Sequence, residues 1–274
     1  MIDDTIFYSA DLTAARQSLS AMGAQISAKG IPGTSVKSTT RNLPANGLEG
    51  KVDPAASDHV AALTAGSPQS CIVFAFTGAG NVTKGAREMF ELLPHEYITP
   101  KDLPGLRDRV RSGEKSSRKV YGVLVSLNEL VRLKSNSTAV SPTAKLGGGA
   151  GVGMDVCVDK THYYANPDQY ESIFHSAIAP YVSVVVNGIY WDNRYPRVLT
   201  KAQLRSLRDT GNVNLKVIAD ITCDVGGSFE FLSHTTSIEK PFFTYNSETD
   251  EDIEGADKKG VLMLGAQQCT TCLA

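Results

Sequence analysis

The sequence predicts an α/β fold in which helices cover both faces of a doubly wound parallel sheet. Short runs rich in β-branched residues alternate along the chain with segments of helical periodicity. The first of these runs, residues 71–77, lacks polar alternation, as expected of a parallel strand buried on both faces. Segments rich in glycine and small polar residues follow the strand runs directly, where the carboxyl ends of parallel strands line a ligand crevice.

The order of the elements follows from this alternation. Pro94 ends the helix after the first strand, and Thr200 caps a later helix. The acidic run 248–254 is interpreted as a solvated loop. Strands are expected at 71–77, 96–98, Val120–Val125, 182–186 and 215–219, and helices at 83–93, Leu103–Arg111, 167–179 and 201–208.

Composition excludes several classes of function. The 274 residues carry a net charge of −2, so no basic surplus attracts nucleic acid or an anionic membrane surface. No apolar run approaches the roughly 18–20 residues of a membrane span. The acidic first residues argue against a targeting peptide, and an odd number of cysteines, 5, favours reduced thiols. We expect an intracellular protein, cytoplasmic or mitochondrial, that acts on small molecules.

A glycine turn lies between the first strand and its helix. Gly78 permits the tight turn out of the strand, and Gly80 lets the backbone approach a pyrophosphate. Free N–H groups at the helix start, at Asn81 and Val82, then face the anion. The spacing is irregular, because Thr83 stands where the usual third glycine would be. Its placement nevertheless predicts a dinucleotide site in a Rossmann-type fold.

The division of the chain follows from composition. A second glycine run, 147–153, has no buried strand before it and is interpreted as part of a flexible insertion at about 134–160. We expect a linking helix at 1–32, a flexible insertion at 33–70, the dinucleotide-binding domain at 71–266 and a tail at 267–274, with remnants of a second domain at the termini.

The end of the second predicted strand bears on the choice of cofactor. Proteins that prefer NAD usually carry an acidic residue there, which binds the ribose 2′-hydroxyl. This chain has Thr99 at that position, followed by Lys101. The pattern favours NADP(H) while leaving NAD(H) possible, and Lys101 can equally be an ordinary solvated loop residue.

Three later segments, 187–192, 220–231 and 235–243, indicate the family to which the sequence is similar. Together with 76–82 and 178–181 they resemble the lysine-ketoglutarate reductase part of aminoadipic semialdehyde synthase. The wider resemblance is to the group formed by lysine-forming saccharopine dehydrogenase, alanine dehydrogenase and transhydrogenase. It covers about 71–133 and 165–264, and more weakly 10–30.

The resemblance implies an enzyme of lysine degradation that joins lysine to 2-oxoglutarate and reduces the imine with NADPH to saccharopine. It also implies that Asp224, in an Asp-x-Gly-Gly turn, is the catalytic polar residue, although a turn-forming role is the alternative. The remaining cofactor contacts expected are Asn187, Gly188, Ile189 and Asp220, of which Asp220 can instead serve the turn alone.

The family's second domain, which supplies Lys and His groups for proton transfer, has no counterpart in the resemblance. We therefore expect a fragment that lacks the substrate domain and stops soon after 261–264, where the chain would return to that domain, or a homo-oligomer. The alternatives are a non-catalytic nucleotide-binding regulatory module and an alanine dehydrogenase-like or transhydrogenase-like protein. No metal-ligand spacing is present; His234 is interpreted as an ordinary loop residue and Cys269 with Cys272 as part of the tail.

Overall fold

The computed structural model describes residues 71–112, 120–134, 158–211, 214–237, 240–255 and 260–265. The strands in these ranges are β1 (Val73–Thr77), β2 (His95–Ile98), β3 (Val120–Val125), β4 (Val131–Leu133), β5 (Tyr170–Ser172), β6 (Val184–Asn187), β7 (Val217–Asp220), β8 (Phe243–Asn246), β9 (Glu251–Glu254) and β10 (Val261–Gly265). The α-helices are α1 (Asn81–Phe90), α2 (Leu103–Arg111), α3 (Leu127–Leu130), α4 (Lys160–Ala165), α5 (Phe174–Ala177) and α6 (Lys201–Asp209), and Pro100–Asp102 and Pro167–Gln169 form 3₁₀ turns.

Eight of these strands form one sheet in the order β2-β3-β1-β6-β7-β10-β8-β9. The six strands from β2 to β10 pair in parallel, and β8 and β9 extend the sheet through antiparallel pairing. The chain places β2 and β3 on one side of β1 and then crosses to β6 on the other side. This reversal is a topological switch point, and it confirms the predicted doubly wound fold.

Two apolar cores lie on opposite faces of the sheet. Alternation along β1 directs Ala75 toward one core and Phe74 toward the other. Met89 and Phe90 of α1 belong to the core of Phe74, whereas Leu103 of α2 joins the core of Ala75. Helices α5 and α6 also contribute to the core of Ala75. Because both faces are covered, the central strands are apolar except at their carboxyl ends, as the sequence predicted.

Two secondary-structure predictions are wrong. The segment predicted as one helix at 167–179 contains β5, which pairs with β4 as a small antiparallel sheet, so tertiary pairing overrides helical periodicity. The acidic run 248–254 contains strand β9. Its charged side chains face solvent because β9 is the edge strand of the sheet.

The segment 261–264 lies within the sheet. It belongs to β10, which lies between β7 and β8 and is buried throughout. The predicted linking helix at 1–32, the insertion at 33–70 and the tail at 267–274 lie outside the described residues, as do residues 135–157 of the insertion predicted at about 134–160. At the end of that second insertion, Lys160 already belongs to helix α4. Within the described ranges, no helix has the length and apolar character required to cross a membrane.

Candidate functional site

The carboxyl ends of five neighbouring strands are aligned in one row. Thr77 of β1 is in register with Val125 of β3 on one side and with Asn187 of β6 on the other. Asn187 is in turn aligned with Asp220 of β7, and Asp220 with Gly265 of β10. The segments 78–82, 187–192 and 220–231 therefore leave the sheet at the same edge.

A buried polar network connects the middle of this row. The Thr77 hydroxyl donates to Asn187 Oδ1 at 2.5 Å, and Asn187 Nδ2 donates to Asp220 Oδ1 at 2.9 Å. Thr222 and Ser228 also donate to the Asp220 carboxyl group, at 2.7 and 3.3 Å. Asn187 and Asp220 are 0% and 1% exposed, so their side chains join neighbouring strands and loops within the protein.

Burial changes the proton affinity of the acidic groups at this edge. It raises the pKa of Asp220, which the hydrogen bonds from Asn187 and Thr222 partly oppose. It also raises the pKa of the half-buried Asp224. The Cys223 thiol lies between these carboxyl groups, and burial together with their charge raises its pKa to about 11. This thiol is therefore a poor nucleophile at neutral pH.

The glycine turn packs directly against the end of β6. Gly78 has φ +91°, and a Cβ there would stand 2.9 Å from the Gly188 carbonyl oxygen and 3.1 Å from Ile189 Cγ2. A side chain at Gly78 is therefore excluded both by conformation and by space. The predicted segments 78–82 and 187–189 meet at the switch point between β1 and β6.

Thr83 explains the irregular glycine spacing. Its hydroxyl donates to the Thr77 carbonyl oxygen at 2.9 Å, and the residue is buried. A Cβ on Gly188 would lie 2.7 Å from Thr83 Oγ1. In the usual motif, a third glycine in the helix lets the helix pack closely against the neighbouring strand. Here the helix α1 has Thr83 at that position, and the missing side chain is that of Gly188, which directly follows β6.

The start of α1 is open to a ligand. Gly80 is the N-cap, has extended backbone and makes no side-chain cap, and no heavy atom lies within 4 Å of the place a Cβ would take. The first-turn N–H groups, which include those of Asn81 and Val82, have no partner within the helix. No acidic residue stands in that first turn. Open space, free N–H groups and the helix dipole together fit a pyrophosphate.

Hydrogen bonds from Gly227 and Arg197 hold the turn that carries Asp224. Gly227 donates its N–H to the Asp224 carbonyl oxygen at 2.8 Å, and a Cβ on Gly227 would lie 2.5 Å from Asp224 Cβ. Arg197 Nη1 donates to the carbonyl oxygens of Gly226 and Gly227, and its guanidinium lies 5.1 Å from the Trp191 ring. Nothing in the local sequence indicated Arg197, because it acts across 29 residues of chain.

The remaining predicted residues lie further from the glycine turn. Thr99 directly follows β2, which lies at the edge of the sheet and is separated from β1 by β3. Its N–H donates to Asp102 Oδ2 at 2.9 Å. His234 is exposed, stacks on Phe243 at 4.1 Å and lies 2.7 Å from the Ser233 hydroxyl oxygen.

No model of a known protein family matches the chain. Alpha-aminoadipic semialdehyde synthase of Arabidopsis thaliana is 39% identical over 199 residues, which is 70% of this chain and 17% of that protein. The mitochondrial alpha-aminoadipic semialdehyde synthases of Bos taurus and Mus musculus are 33% identical over 205 residues, 70% of this chain and 20% of their own length. Over these residues the chain is homologous to the alpha-aminoadipic semialdehyde synthases.

This similarity confirms the resemblance that the motifs indicated, and the matched relatives carry the name of an enzyme. The chain spans 17–20% of the length of the alpha-aminoadipic semialdehyde synthases that it matches. The matched relatives of cattle and mouse carry the word mitochondrial in their names.

Proposed function

We propose that the described part of the chain binds a nicotinamide dinucleotide, NADP(H) or NAD(H), at the switch point between β1 and β6. The observation that supports this proposal is the packing of the glycine turn at the switch point: Gly78 lies against Gly188, whereas the space at Gly80 is open. A pyrophosphate in that space would accept hydrogen bonds from the first-turn N–H groups of α1. The nicotinamide half would then extend over the ends of β6 and β7, toward Asp224.

We further propose that this unit takes part in the reductive condensation of lysine with 2-oxoglutarate to give saccharopine. The bound dinucleotide would supply the hydride. The homology to alpha-aminoadipic semialdehyde synthases and the resemblance of segment 187–192 to lysine-ketoglutarate reductase support this reaction over that of alanine dehydrogenase.

Asp224 is the residue proposed to act on the reacting groups. Its carboxyl group is half-buried at the strand ends, and burial raises its pKa, which helps it to hold a proton. Arg197 and Gly227 hold the backbone of its turn. Asn187 and Asp220 are proposed to position this turn against the glycine turn, since their own side chains are buried in the network. Substrate-binding groups would come from a second domain, as the resemblance implies.

Calorimetric titration of the full chain with NADPH and with NADH tests the binding proposal. We expect at least one of them to bind, and Gly80→Val to weaken binding by about tenfold or more, because its side chain would fill the pyrophosphate space. Valine is also a poor N-cap, so Thr200→Val, at the cap of α6, is the matched control for lost capping and should bind normally. Absence of binding, or unchanged binding by Gly80→Val, would favour the regulatory module instead.

Turnover is tested separately by following NADPH absorbance with lysine and 2-oxoglutarate present. We expect little or no oxidation by the chain alone, because the proposed proton-transfer groups belong to another domain. Rapid NADPH loss would show that the second domain is dispensable and would contradict that part of the proposal.

A further inference from the structure

A buried carboxyl group without a basic partner ends strand β7. Asp220 is 1% exposed, and it accepts hydrogen bonds from the neutral side chains of Asn187, Thr222 and Ser228 at 2.9, 2.7 and 3.3 Å. Among the described residues, no lysine, arginine or histidine forms an ion pair with it. The nearby charge that acts on it is that of Asp224, which has the same sign. No cation in the described part of the chain therefore balances the charge of this carboxylate.

The donors around Asp220 suit its ionised form. Burial raises the pKa of this carboxyl group, whereas the hydrogen bonds from Asn187 and Thr222 lower it. The Thr77 hydroxyl donates to Asn187 Oδ1 at 2.5 Å, so the amide nitrogen of Asn187 is the atom that faces Asp220. A positive charge over the end of β7 would favour the carboxylate further, because an opposite charge stabilises the ionised form.

The position of Asp220 in the sheet relates it to the proposed cofactor. Asp220 is the last residue of β7 and is in register with Asn187 of β6. In the proposed complex, the nicotinamide half lies over the ends of these two strands. The nicotinamide ring carries a positive charge when it is oxidised and is neutral when it is reduced. A buried charge is screened less than an exposed one, so Asp220 can distinguish the two forms of the ring without touching it.

We propose that the Asp220 carboxylate is the counter-ion of the oxidised nicotinamide ring and raises the affinity for the oxidised dinucleotide relative to the reduced one. The inference rests on the proposed dinucleotide binding and gives Asp220 an electrostatic role besides that of positioning the turn. In the proposed reaction, a hydride carries two electrons from the reduced ring to the carbon of the protonated imine. The ring gains one positive charge and the imine loses one. Asp220 therefore stabilises the charge that the ring acquires as the imine is reduced to the amine.

The experiment measures the dissociation constants of NADP⁺ and NADPH, and of NAD⁺ and NADH, by calorimetry at mildly alkaline pH for the full chain, Asp220→Asn and Asp102→Asn. We expect Asp220→Asn to weaken binding of the oxidised form relative to the reduced form by about tenfold, because a weakly screened charge is lost. Asp102→Asn removes an exposed carboxylate beyond β2 and should leave the ratio within about twofold of the wild-type value. A purely structural role of Asp220 would weaken both forms equally. An unchanged ratio in Asp220→Asn, or an equal change in Asp102→Asn, overturns the assignment.

A pH series on the wild-type chain covers the case in which Asp220→Asn does not fold. Protonation removes the charge of Asp220, so the relative affinity for the oxidised form should decline as pH falls through the folded pKa of Asp220. The phosphates and the adenine are the same in both forms, and their titration cancels in the ratio. Asp224 and the Cys223 thiol act on the same carboxyl group. The decline should persist in Asp224→Asn, which removes the other carboxyl group.

A ratio that stays constant down to the acid limit of folding, or a decline that disappears in Asp224→Asn, overturns the assignment. If neither form of either dinucleotide binds the wild-type chain, the proposed function itself fails. That result is distinct from binding with an unchanged ratio, which contradicts the role of Asp220 alone.

Discussion

Asn187 and Asp220 end adjacent parallel strands, and the Asn187 amide donates a 2.9 Å hydrogen bond to the Asp220 carboxyl group. Thr77 completes the same row from β1, so one polar chain crosses three strands under the glycine turn. Ser228 links this chain to the turn that follows Asp224. We therefore expect a substitution of Asn187 or Asp220 to disturb both the glycine turn after β1 and the turn that carries Asp224, which the proposed cofactor would contact.

The buried Asp220 makes stability depend on pH in a definite direction. Its pKa in the folded protein is raised above the unfolded value of about 3.9, so its contribution is complete below that pH and declines as pH rises through the folded pKa. Asp220→Asn keeps an acceptor for Asn187 and removes the charge. In urea unfolding at a series of pH values, we expect the variant to gain stability relative to wild type as pH rises above about 4.

Asp102→Asn is the control for this pH series. Hydrogen bonds from Thr99 lower the pKa of the exposed Asp102, so its stabilising contribution is present at neutral pH and is lost as pH falls through its folded pKa. The two variants should therefore depart from wild type in opposite directions. Parallel curves for wild type and Asp220→Asn would contradict the assignment.

The contact between Thr83 and Gly188 can be tested by a double-mutant cycle. Gly188→Ala places a methyl group 2.7 Å from Thr83 Oγ1, and we expect a loss of about 1–3 kcal/mol in the free energy of unfolding. Thr83→Ala removes the hydroxyl and should restore part of that loss when the two changes are combined. Additive effects in urea unfolding would show that the two residues do not compete for one space.

Arg197 is expected to hold the Asp224 turn in place. Arg197→Met leaves the Gly226 and Gly227 carbonyl oxygens without their shared donor, and we expect a loss of about 1–3 kcal/mol in the free energy of unfolding. Trp191 is the single tryptophan of the chain, and its fluorescence should change as the cation leaves its ring.

Arg194→Met provides the comparison for Arg197→Met. Its side chain is 63% exposed and pairs with Asp192, so its replacement should lower the free energy of unfolding much less than Arg197→Met does. Equal losses of unfolding free energy from the two arginine variants would show that the hydrogen bonds of Arg197 to Gly226 and Gly227 stabilise the protein no more than the exposed ion pair of Arg194 does.

Gly78 and Gly80 are expected to differ although they are two residues apart. Gly78→Ala combines a positive φ with a contact of 2.9 Å to a backbone oxygen, so we expect a loss of at least about 2 kcal/mol in unfolding free energy. Gly80→Ser places a favoured N-cap residue in open space and should leave the melting temperature unchanged or raise it. A similar melting temperature for both variants would contradict the geometry of the turn.

Local patterns were sufficient for much of the fold. The buried strands β1 and β3 and the helix α2 were predicted because apolar runs and helical periodicity depend on neighbouring residues alone. The same holds for the glycine turn, since Gly78 follows a buried strand directly. The strand β5 was missed, because its pairing with β4 joins segments about 40 residues apart in the chain.

The site divides in the same way. The residues at the strand ends, Thr77, Asn187 and Asp220, occupy positions that can be identified one strand at a time, whereas Arg197 reaches its turn only in three dimensions. The close packing of Thr83 against Gly188 likewise joins two segments that are distant in sequence, so neither segment alone indicates it.

The amino-acid sequence was enough to predict an α/β sheet with a glycine turn at its first strand, and to indicate the family that the chain resembles. The three-dimensional structure was needed to establish that β3, and not β2, lies beside that strand. Periodicity and glycine placement are local properties, whereas the order of strands depends on how the whole chain buries its apolar faces. That order separates the end of β2, which Thr99 follows, from β1 by one strand.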